Sequence, residues 1–151
     1  MTGNTVLLVE DNPSDVFIVR RTFHKLELQS SLHVVSNGDE AIAYLSGTGK
    51  YADREQFPLP AVVLLDLKLP RRSGMEVLEW LKAQPILCRL PVVVLTSSKQ
   101  PSDINHAYDR GANSYVVKTL NPSDSEELGR VIHHYWINCN QKAEIEPHMT
   151  P

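Results

Sequence analysis

The chain has 151 residues, of which 42% are hydrophobic and 22% charged, and its formal net charge is −3. This length and composition predict one globular domain with a buried core. The densest basic stretch, Arg71-Arg72, is too short for a nucleic-acid interface, and no apolar run approaches the roughly 18 residues of a membrane span.

The first half of the chain predicts two strands and two helices. Residues 6–9 are wholly apolar, as in a strand buried on both faces. A weaker strand is predicted over residues 32–35, and a short helix then ends at Gly47. The first helix lies between these strands and is indicated by apolar residues at helical spacing: Val16, Val19, Phe23 and Leu26.

The stretch 47–60 has no apolar periodicity and is long for a connection in a compact α/β domain. We interpret it as an inserted surface loop that extends the second helix by a turn at most.

The second half continues the alternation of strands and helices. Strands are predicted over residues 61–65, 92–95 and 114–117. The third helix begins at the capping box Ser73–Glu76, and the fourth ends at Gly111, which can adopt the left-handed conformation of a helix C-terminus.

A second capping box, Ser123–Glu126, predicts the start of the last helix. Its apolar stripe consists of Leu128, Val131, Ile132, Tyr135, Trp136 and Cys139. Residues 1–140 are therefore predicted to form the domain, and residues 141–151, which lack periodicity, a flexible tail. The strict alternation predicts an α/β fold with a parallel sheet covered by helices on both faces.

Four predicted strands end on residues that can bind a metal ion or a phosphoryl group. Because parallel strands open on one edge, Glu10, Asp11 and Asp66 should converge there. Three carboxylates need a cation, and oxygen ligands favour Mg²⁺. Asp66, at the end of the central strand, is the candidate nucleophile, while Thr96 and Lys118 could bind phosphoryl oxygens.

The motifs resemble those of the two-component response-regulator receiver domain. They are Leu-Val-Glu-Asp-Asn at 8–12, Leu-Leu-Asp-Leu-Lys-Leu-Pro at 64–70 with Gly74, Leu-Thr-Ser-Ser at 95–98, and Gly-Ala-Asn-Ser-Tyr-Val-Val-Lys at 111–118. The resemblance covers residues 6–136. It implies a doubly wound, flavodoxin-like (βα)5 sandwich with the strand order 2-1-3-4-5.

The resemblance also implies a role for each site residue. Asp66 would be the phospho-acceptor and, with Glu10, Asp11 and the backbone carbonyl of Lys68, a ligand of Mg²⁺. Thr96 and Lys118 would bind the phosphoryl group. Tyr115 would be the switch residue that turns inward when Thr96 moves to the phosphate, and Lys68 and Ser98 would tune the lifetime of the phosphate.

Two positions depart from the family pattern. Glu10 stands where aspartate is commoner, and it is one methylene longer. Thr119 follows Lys118 where the family has proline in a cis peptide, and a cis bond before threonine would cost about 2.5–4 kcal/mol. The position of Lys118 is thus the part of the site that this sequence leaves open.

Three features look like those of the small stand-alone regulators that serve bacterial phytochrome histidine kinases. They are the stretch 47–60, the Glu-Asp-Asn-Pro-Ser-Asp sequence at 10–15 and the Tyr-Trp pair near the end of the last helix. A sensor histidine kinase is then the expected partner, and no DNA-binding effector is expected. Because Tyr135, Trp136 and Ile137 cannot all face inward, we also expect a homodimer formed through the last strand-helix region and the C-terminal extension.

The two cysteines, Cys88 and Cys139, belong to no metal-binding or disulfide motif, and no signal peptide is visible, so a cytoplasmic protein is expected. A switch is predicted, not an enzyme. The alternatives are a dehalogenase-type phosphatase, which would need Asp-x-Asp after the first strand, and a nucleotide-binding protein, for which 47–50 is an incomplete phosphate loop. A degenerate receiver that acts only as an interaction module is the remaining alternative.

Overall fold

A computed structural model describes residues 4–28, 31–118 and 121–145, and over these ranges five strands alternate with five helices. The strands are β1 (Val6–Val9), β2 (Leu32–Val35), β3 (Val62–Leu65), β4 (Val92–Thr96) and β5 (Ser114–Val117). The helices are α1 (Pro13–Lys25), α2 (Gly38–Ser46), α3 (Gly74–Lys82), α4 (Pro101–Asp109) and α5 (Pro122–His133).

The strands form one parallel sheet in the order β2-β1-β3-β4-β5. This order is that of the flavodoxin-like fold, so the predicted fold class is confirmed. β1 pairs with β2 on one side and with β3 on the other, and Val9 lies in register with Val35 and Leu65. The residues that follow β1 and β3 are therefore brought to the same place at the carboxyl edge of the sheet.

The sheet separates two apolar cores, because successive side chains of a strand point to opposite faces. Leu7 and Val9 of β1 belong to the core shared with α2, α3 and α4, whereas Val6 and Leu8 belong to the core shared with α1 and α5. Burial on both faces explains why β1 and β3 are apolar at every position.

The helix ends agree with the predictions at three of four positions. The α2 helix ends at Gly47, the box formed by Ser73 and Glu76 is present in full, and Gly111 adopts φ 102° two residues after the end of α4. The box predicted at Ser123–Glu126 is wrong. The α5 helix has already begun at Pro122, and its cap is the side chain of Asn121, which accepts a hydrogen bond from the Ser123 amide.

The stretch 47–60 is packed into the protein and is not a plain surface loop. The α2 helix ends at Gly47 (φ 70°), and a 3₁₀ turn follows over Gly49–Tyr51. Tyr51 and Leu59 are buried in the core beneath α2, where aromatic rings pack edge to face. The missed signal was the aromatic content of the stretch, which has no helical or strand spacing.

Arg54 fastens this stretch to α2. Its guanidinium donates hydrogen bonds to the carbonyl oxygens of Tyr44 at 2.7 Å and Leu45 at 2.9 Å, and to that of Phe57 at 3.2 Å. A charged donor thus adds to the hydrogen bond that the Tyr44 carbonyl accepts from the Gly47 amide, and it bonds the Leu45 carbonyl in the last turn of α2.

The end of the last helix also differs from the prediction. Residues His134–Cys139 continue α5 as a π-helical turn, in which each turn contains more residues. The apolar stripe therefore shifts within this turn: Ile137 is buried, whereas Tyr135 is exposed. Val131, which lies before the turn, is also exposed. Leu128, Ile132 and Trp136 pack against the core that lies beneath α1 and α5.

The first residues of the predicted flexible tail contact the domain. Ile145 is buried in the core beneath α2 and α3, and the carbonyl oxygen of Glu144 accepts a hydrogen bond from Arg89 at 3.0 Å. The segment 141–145 thus differs from a frayed tail. Its packing was not predictable because a single apolar residue carries no periodicity; residues 146–151 lie outside the described ranges.

None of the helices within the described ranges is both long and apolar enough to span a bilayer.

We predict that Arg54→Ala lowers the free energy of unfolding by about 2 kcal/mol, because two buried carbonyls of α2 lose a charged donor. Lys25→Ala is the control. The exposed Lys25 ammonium makes a surface ion pair with Glu126, and its loss should change stability by less than about 0.5 kcal/mol. Urea unfolding of the two variants measures the difference, and equal effects would contradict an anchoring role for Arg54.

Candidate functional site

The site forms where three neighbouring strands end at one edge of the sheet. Glu10 and Asp11 follow β1, Asp66 follows β3, and Thr96 is the last residue of β4. Backbone hydrogen bonds hold these ends in register: the Asp66 amide donates to the Val9 carbonyl at 3.1 Å, and the Glu10 amide donates to the Val35 carbonyl at 3.0 Å. Rigid strands therefore fix the start of each acidic side chain.

Three carboxylates predicted to converge do so. One oxygen each from Glu10, Asp11 and Asp66 lies within 4.8 Å of the others. Glu10 and Asp66 are buried, whereas Asp11 is exposed at the rim. A cluster of hard oxygen donors that is open on one side fits a divalent cation that keeps some of its water.

Lys118 reaches into this acidic cluster from the end of β5. Its ammonium lies 2.5 Å from Glu10 Oε1, 3.0 Å from Asp66 Oδ2 and 2.8 Å from Asp15 Oδ2. All three donors of the ammonium are thus directed at carboxylates, and the lysine side chain is largely buried. The residue after it, Thr119, lies outside the described ranges, and so does the peptide bond between the two.

Burial and charge divide the protons of the site unequally. Burial raises the pKa of Glu10 to about 7, although the hydrogen bond from Lys118 acts in the opposite direction. For Asp66 burial acts to raise the pKa, but the hydrogen bonds with Glu10 and Lys118 outweigh it and lower the pKa. The pKa of Lys118 is raised, because its carboxylate partners outweigh its burial. Asp66 is therefore ionised at neutral pH, whereas Glu10, with a pKa of about 7, is partly protonated there.

Thr96 carries a buried hydroxyl without a hydrogen-bond partner in the described part of the chain. Its side chain is fully buried at the end of β4, on the edge that carries Asp66. An unpaired buried hydroxyl costs about 1–3 kcal/mol, so such groups are rare unless they serve a ligand.

Tyr115 is half-buried on β5, and its hydroxyl donates to the Ser98 carbonyl oxygen at 2.9 Å. The Ser98 hydroxyl in turn donates to Asp103 of α4 at 2.5 Å. The predicted switch residue is therefore bonded to the loop that follows Thr96.

Lys68 is exposed, and its amide donates to Asp66 Oδ1 at 3.3 Å. The use of its carbonyl oxygen as a metal ligand stays a prediction.

Asp15 is the site residue that sequence reasoning missed. It lies in the first turn of α1, where an acidic residue is normally explained by the helix dipole. The signal that could have found it is its place four residues after Asp11, on a helix that starts at the carboxyl edge of the sheet.

Comparison with known proteins gives a consistent result. The family model of the response regulator receiver domain matches residues 6–129. The response regulator Rcp1 of Synechocystis sp. is 36% identical over 132 residues, which cover 87% of this chain and 88% of that protein.

Solved structures agree with the sequence comparison. The phosphorylated cyanobacterial phytochrome response regulator RcpA is 35% identical, with a TM-score of 0.84 over 93% of this chain and 99% of that one. RPA3017, a response regulator in red light signalling of R. palustris, is 35% identical, with a TM-score of 0.85 over 93% and 98%. Rcp1 has been solved in a Mn²⁺-bound form (33% identity, TM-score 0.80 over 93% and 99%).

The raised pKa of Glu10 predicts a pH dependence of stability in the metal-free protein. A carboxyl whose pKa rises on folding stabilises the folded state below its unfolded value of 4.5, and this contribution is lost as the pH rises through about 7. Between these two pKa values, the free energy of unfolding of the parent should fall relative to that of Glu10→Gln by up to about 1.4 kcal/mol per pH unit. Asp66, whose pKa is lowered, stabilises the folded state throughout this window, and its contribution is lost only when the pH falls below the usual range of an aspartate.

Urea unfolding in EDTA at several pH values between 5 and 8 measures this slope. Glu79→Gln, at an exposed carboxylate of α3, is the control, and its free energy of unfolding should change with pH as that of the parent does. The idea fails if the free energy of unfolding of Glu10→Gln does so as well.

Proposed function

The chain belongs to the response regulator receiver family, whose members act in phosphorelay signal transduction, and we propose that Asp66 is its phospho-acceptor. The observation that carries the proposal is the set of groups around this one carboxylate. Asp66 is ionised and bonded to Lys118, and its oxygens cluster with those of Glu10 and Asp11. Within the described part of the chain, the hydroxyl of Thr96 lacks a partner.

We propose Mg²⁺ as the cation, held by oxygens of Glu10, Asp11 and Asp66 and by the Lys68 carbonyl. The donor set consists of hard oxygens, which suit this ion. When bound, the ion neutralises charge that develops on the phosphoryl oxygens during transfer. The relative solved with Mn²⁺ supports a divalent ion in this chain too.

In the proposed reaction a carboxylate oxygen of Asp66 attacks the phosphorus of a phosphohistidine on a sensor histidine kinase. The new O–P bond forms as the P–N bond breaks, and the imidazole leaves with the electron pair and regains a proton from solvent. Lys118 neutralises one phosphoryl oxygen, and Thr96 donates its hydroxyl to another. Positioning and charge neutralisation are most of what phosphoryl transfer requires.

The output follows from the same contacts. Movement of Thr96 toward the phosphoryl group would pull the end of β4 and the following loop, which the Tyr115 hydroxyl holds at Ser98. Lys68 and Ser98 border the site and would set how readily water reaches the phosphate. On this account the protein is a switch, not an enzyme. Its receiver unit comprises residues 1–140, against which residues 141–145 pack.

The partner we propose is a sensor histidine kinase of the phytochrome type, since RcpA is a phytochrome response regulator and RPA3017 acts in red light signalling. Because such kinases draw on cellular ATP, we infer that the protein works in the cytoplasm.

We further propose a homodimer formed through α5. Val131 and Tyr135 lie one turn apart on this helix, and their exposed fractions are 52% and 49%. Glu127 and Arg130 lie on the same helix and carry opposite charges. An antiparallel second copy of α5 could cover the apolar pair and match these charges, as a two-fold interface requires.

Intact-protein mass after incubation with Mg²⁺ and acetyl phosphate tests the acceptor. The parent should gain one phosphoryl group and Asp66→Asn none, while Asp39→Asn, at an exposed aspartate of α2, should behave as the parent. Thr96→Val should lower the phosphorylated fraction, yet leave the metal-free fold as stable as the parent or about 1 kcal/mol more stable. No gain by the parent would favour an interaction module that does not use phosphate.

Sedimentation velocity over a range of concentrations tests the dimer. The parent should approach twice the mass of one chain, and Val131→Asp should remain a monomer because a charge in the apolar contact loses its water. Phe17→Asp, at an apolar residue of α1 that is more exposed than Val131, is the control and should dimerise. A parent that stays monomeric at high concentration, phosphorylated or not, would refute the proposal.

A further inference from the structure

We propose that Asp15 is a positioning residue that keeps Lys118 at the site when a metal ion occupies the other carboxylates. This inference rests on the proposed function, because it concerns the lysine that meets the phosphoryl group. It adds to the site an acidic residue of α1 that lies outside the cluster of Glu10, Asp11 and Asp66.

The three partners of Lys118 differ in what a metal ion does to them. Glu10 and Asp66 supply oxygens to the cation cluster, so a divalent ion and the lysine ammonium compete for them. Two cations that share the same oxygens repel each other. Among the described partners of Lys118, Asp15 alone is not part of that cluster, and its Oδ2 lies 2.8 Å from the ammonium. It therefore remains available when the other two are engaged.

The backbone that carries Asp15 is fixed by a helix cap. The Asn12 side chain accepts hydrogen bonds from the amides of Ser14 and Asp15, which fixes the first turn of α1. Lys118, in contrast, carries a flexible four-carbon stem, and the residue after it is threonine, not a proline that would restrict the backbone. A carboxylate on a capped helical turn, beside a lysine whose long stem allows other positions, is the arrangement expected of a positioning contact.

The simplest alternative is that Asp15 only stabilises α1 by its charge at the helix N-terminus. The chain contains its own test of this alternative. The sequence Asn-Pro-Ser-Asp occurs at 12–15 and again at 121–124, and each copy begins a helix with the asparagine as cap. Asp124 thus has the same place in α5 that Asp15 has in α1, but Asp124 is exposed and lies in the other helix.

The experiment compares the parent with Asp15→Asn and Asp124→Asn in saturating Mg²⁺ without a phosphodonor. The readout is the NMR signal of the Lys118 side-chain ammonium, assigned by its absence in Lys118→Gln. In the parent and in Asp124→Asn the bonded ammonium should give a protected signal. In Asp15→Asn the signal should be lost or exchange with water at least about ten times faster, because the amide offers only a neutral acceptor.

A double-mutant cycle then connects this contact with phosphorylation. With acetyl phosphate and Mg²⁺, Asp15→Asn should slow phosphorylation of Asp66 about five-fold in the parent background. It should have no further effect in the Lys118→Gln background, because Asp15 acts through that lysine. Asp124→Asn should change neither rate, and urea unfolding confirms that all the variants are folded.

Two results would overturn the inference. One is an unchanged Lys118 signal in Mg²⁺-loaded Asp15→Asn, and the other is an equal slowing by Asp15→Asn in both backgrounds. A parent that takes up no phosphate would instead contradict the proposed function. The NMR comparison would still decide whether Asp15 holds Lys118, since it uses no phosphodonor.

Discussion

The ammonium of Lys118 among three carboxylates is the interaction on which the site depends. The sheet order places the ends of β1 and β3 side by side, and this alone would leave Glu10 and Asp66 buried next to each other with like charges. One lysine cannot neutralise them together with Asp11 and Asp15. Burial raises the pKa of Glu10, and the neighbouring Asp66 carboxylate adds to the rise. The negative charge that Lys118 does not compensate favours a divalent cation.

Within this charged cluster, the residues that end strands could be predicted from the sequence, and the one on a helix could not. Apolar runs that end on acidic residues predicted both the fold and the meeting of Glu10, Asp11 and Asp66, because strand direction decides where their ends lie. Asp15 was not predicted because a residue on a helix faces the site only if the packed helix turns that side toward it, and the sequence does not show this orientation. Acidic residues in a first helical turn are also common for another reason, the helix dipole.

The errors in the fold have a comparable origin. Tyr51 and Arg54 belong to a stretch without regular spacing, so their burial and their hydrogen bonds depend on tertiary contacts with α2 that no local pattern records. Likewise, the π-helical turn after α5 changes which side of the helix faces inward, and a stripe counted at α-helical spacing places Tyr135 inside and Ile137 outside. Local sequence patterns predicted the strands and helices well. They failed where tertiary packing, not hydrophobic periodicity, decides which side chains are buried.

The α1 and α5 helices connect the site to the surface on which we place the dimer. A Cβ at Gly129 of α5 would lie 2.4 Å from Thr22 Cγ2 of α1, so the absence of a side chain allows the two helices to pack closely beneath the site. Asp15 belongs to α1, and Lys118 leads from β5 toward α5. On the proposed function, a change in which carboxylates hold Lys118 would act first at Asp15 of α1, which packs against α5 at Gly129. Val131 lies on the exposed side of α5, so a proposed effect of phosphorylation on association would pass through the contact between α1 and α5.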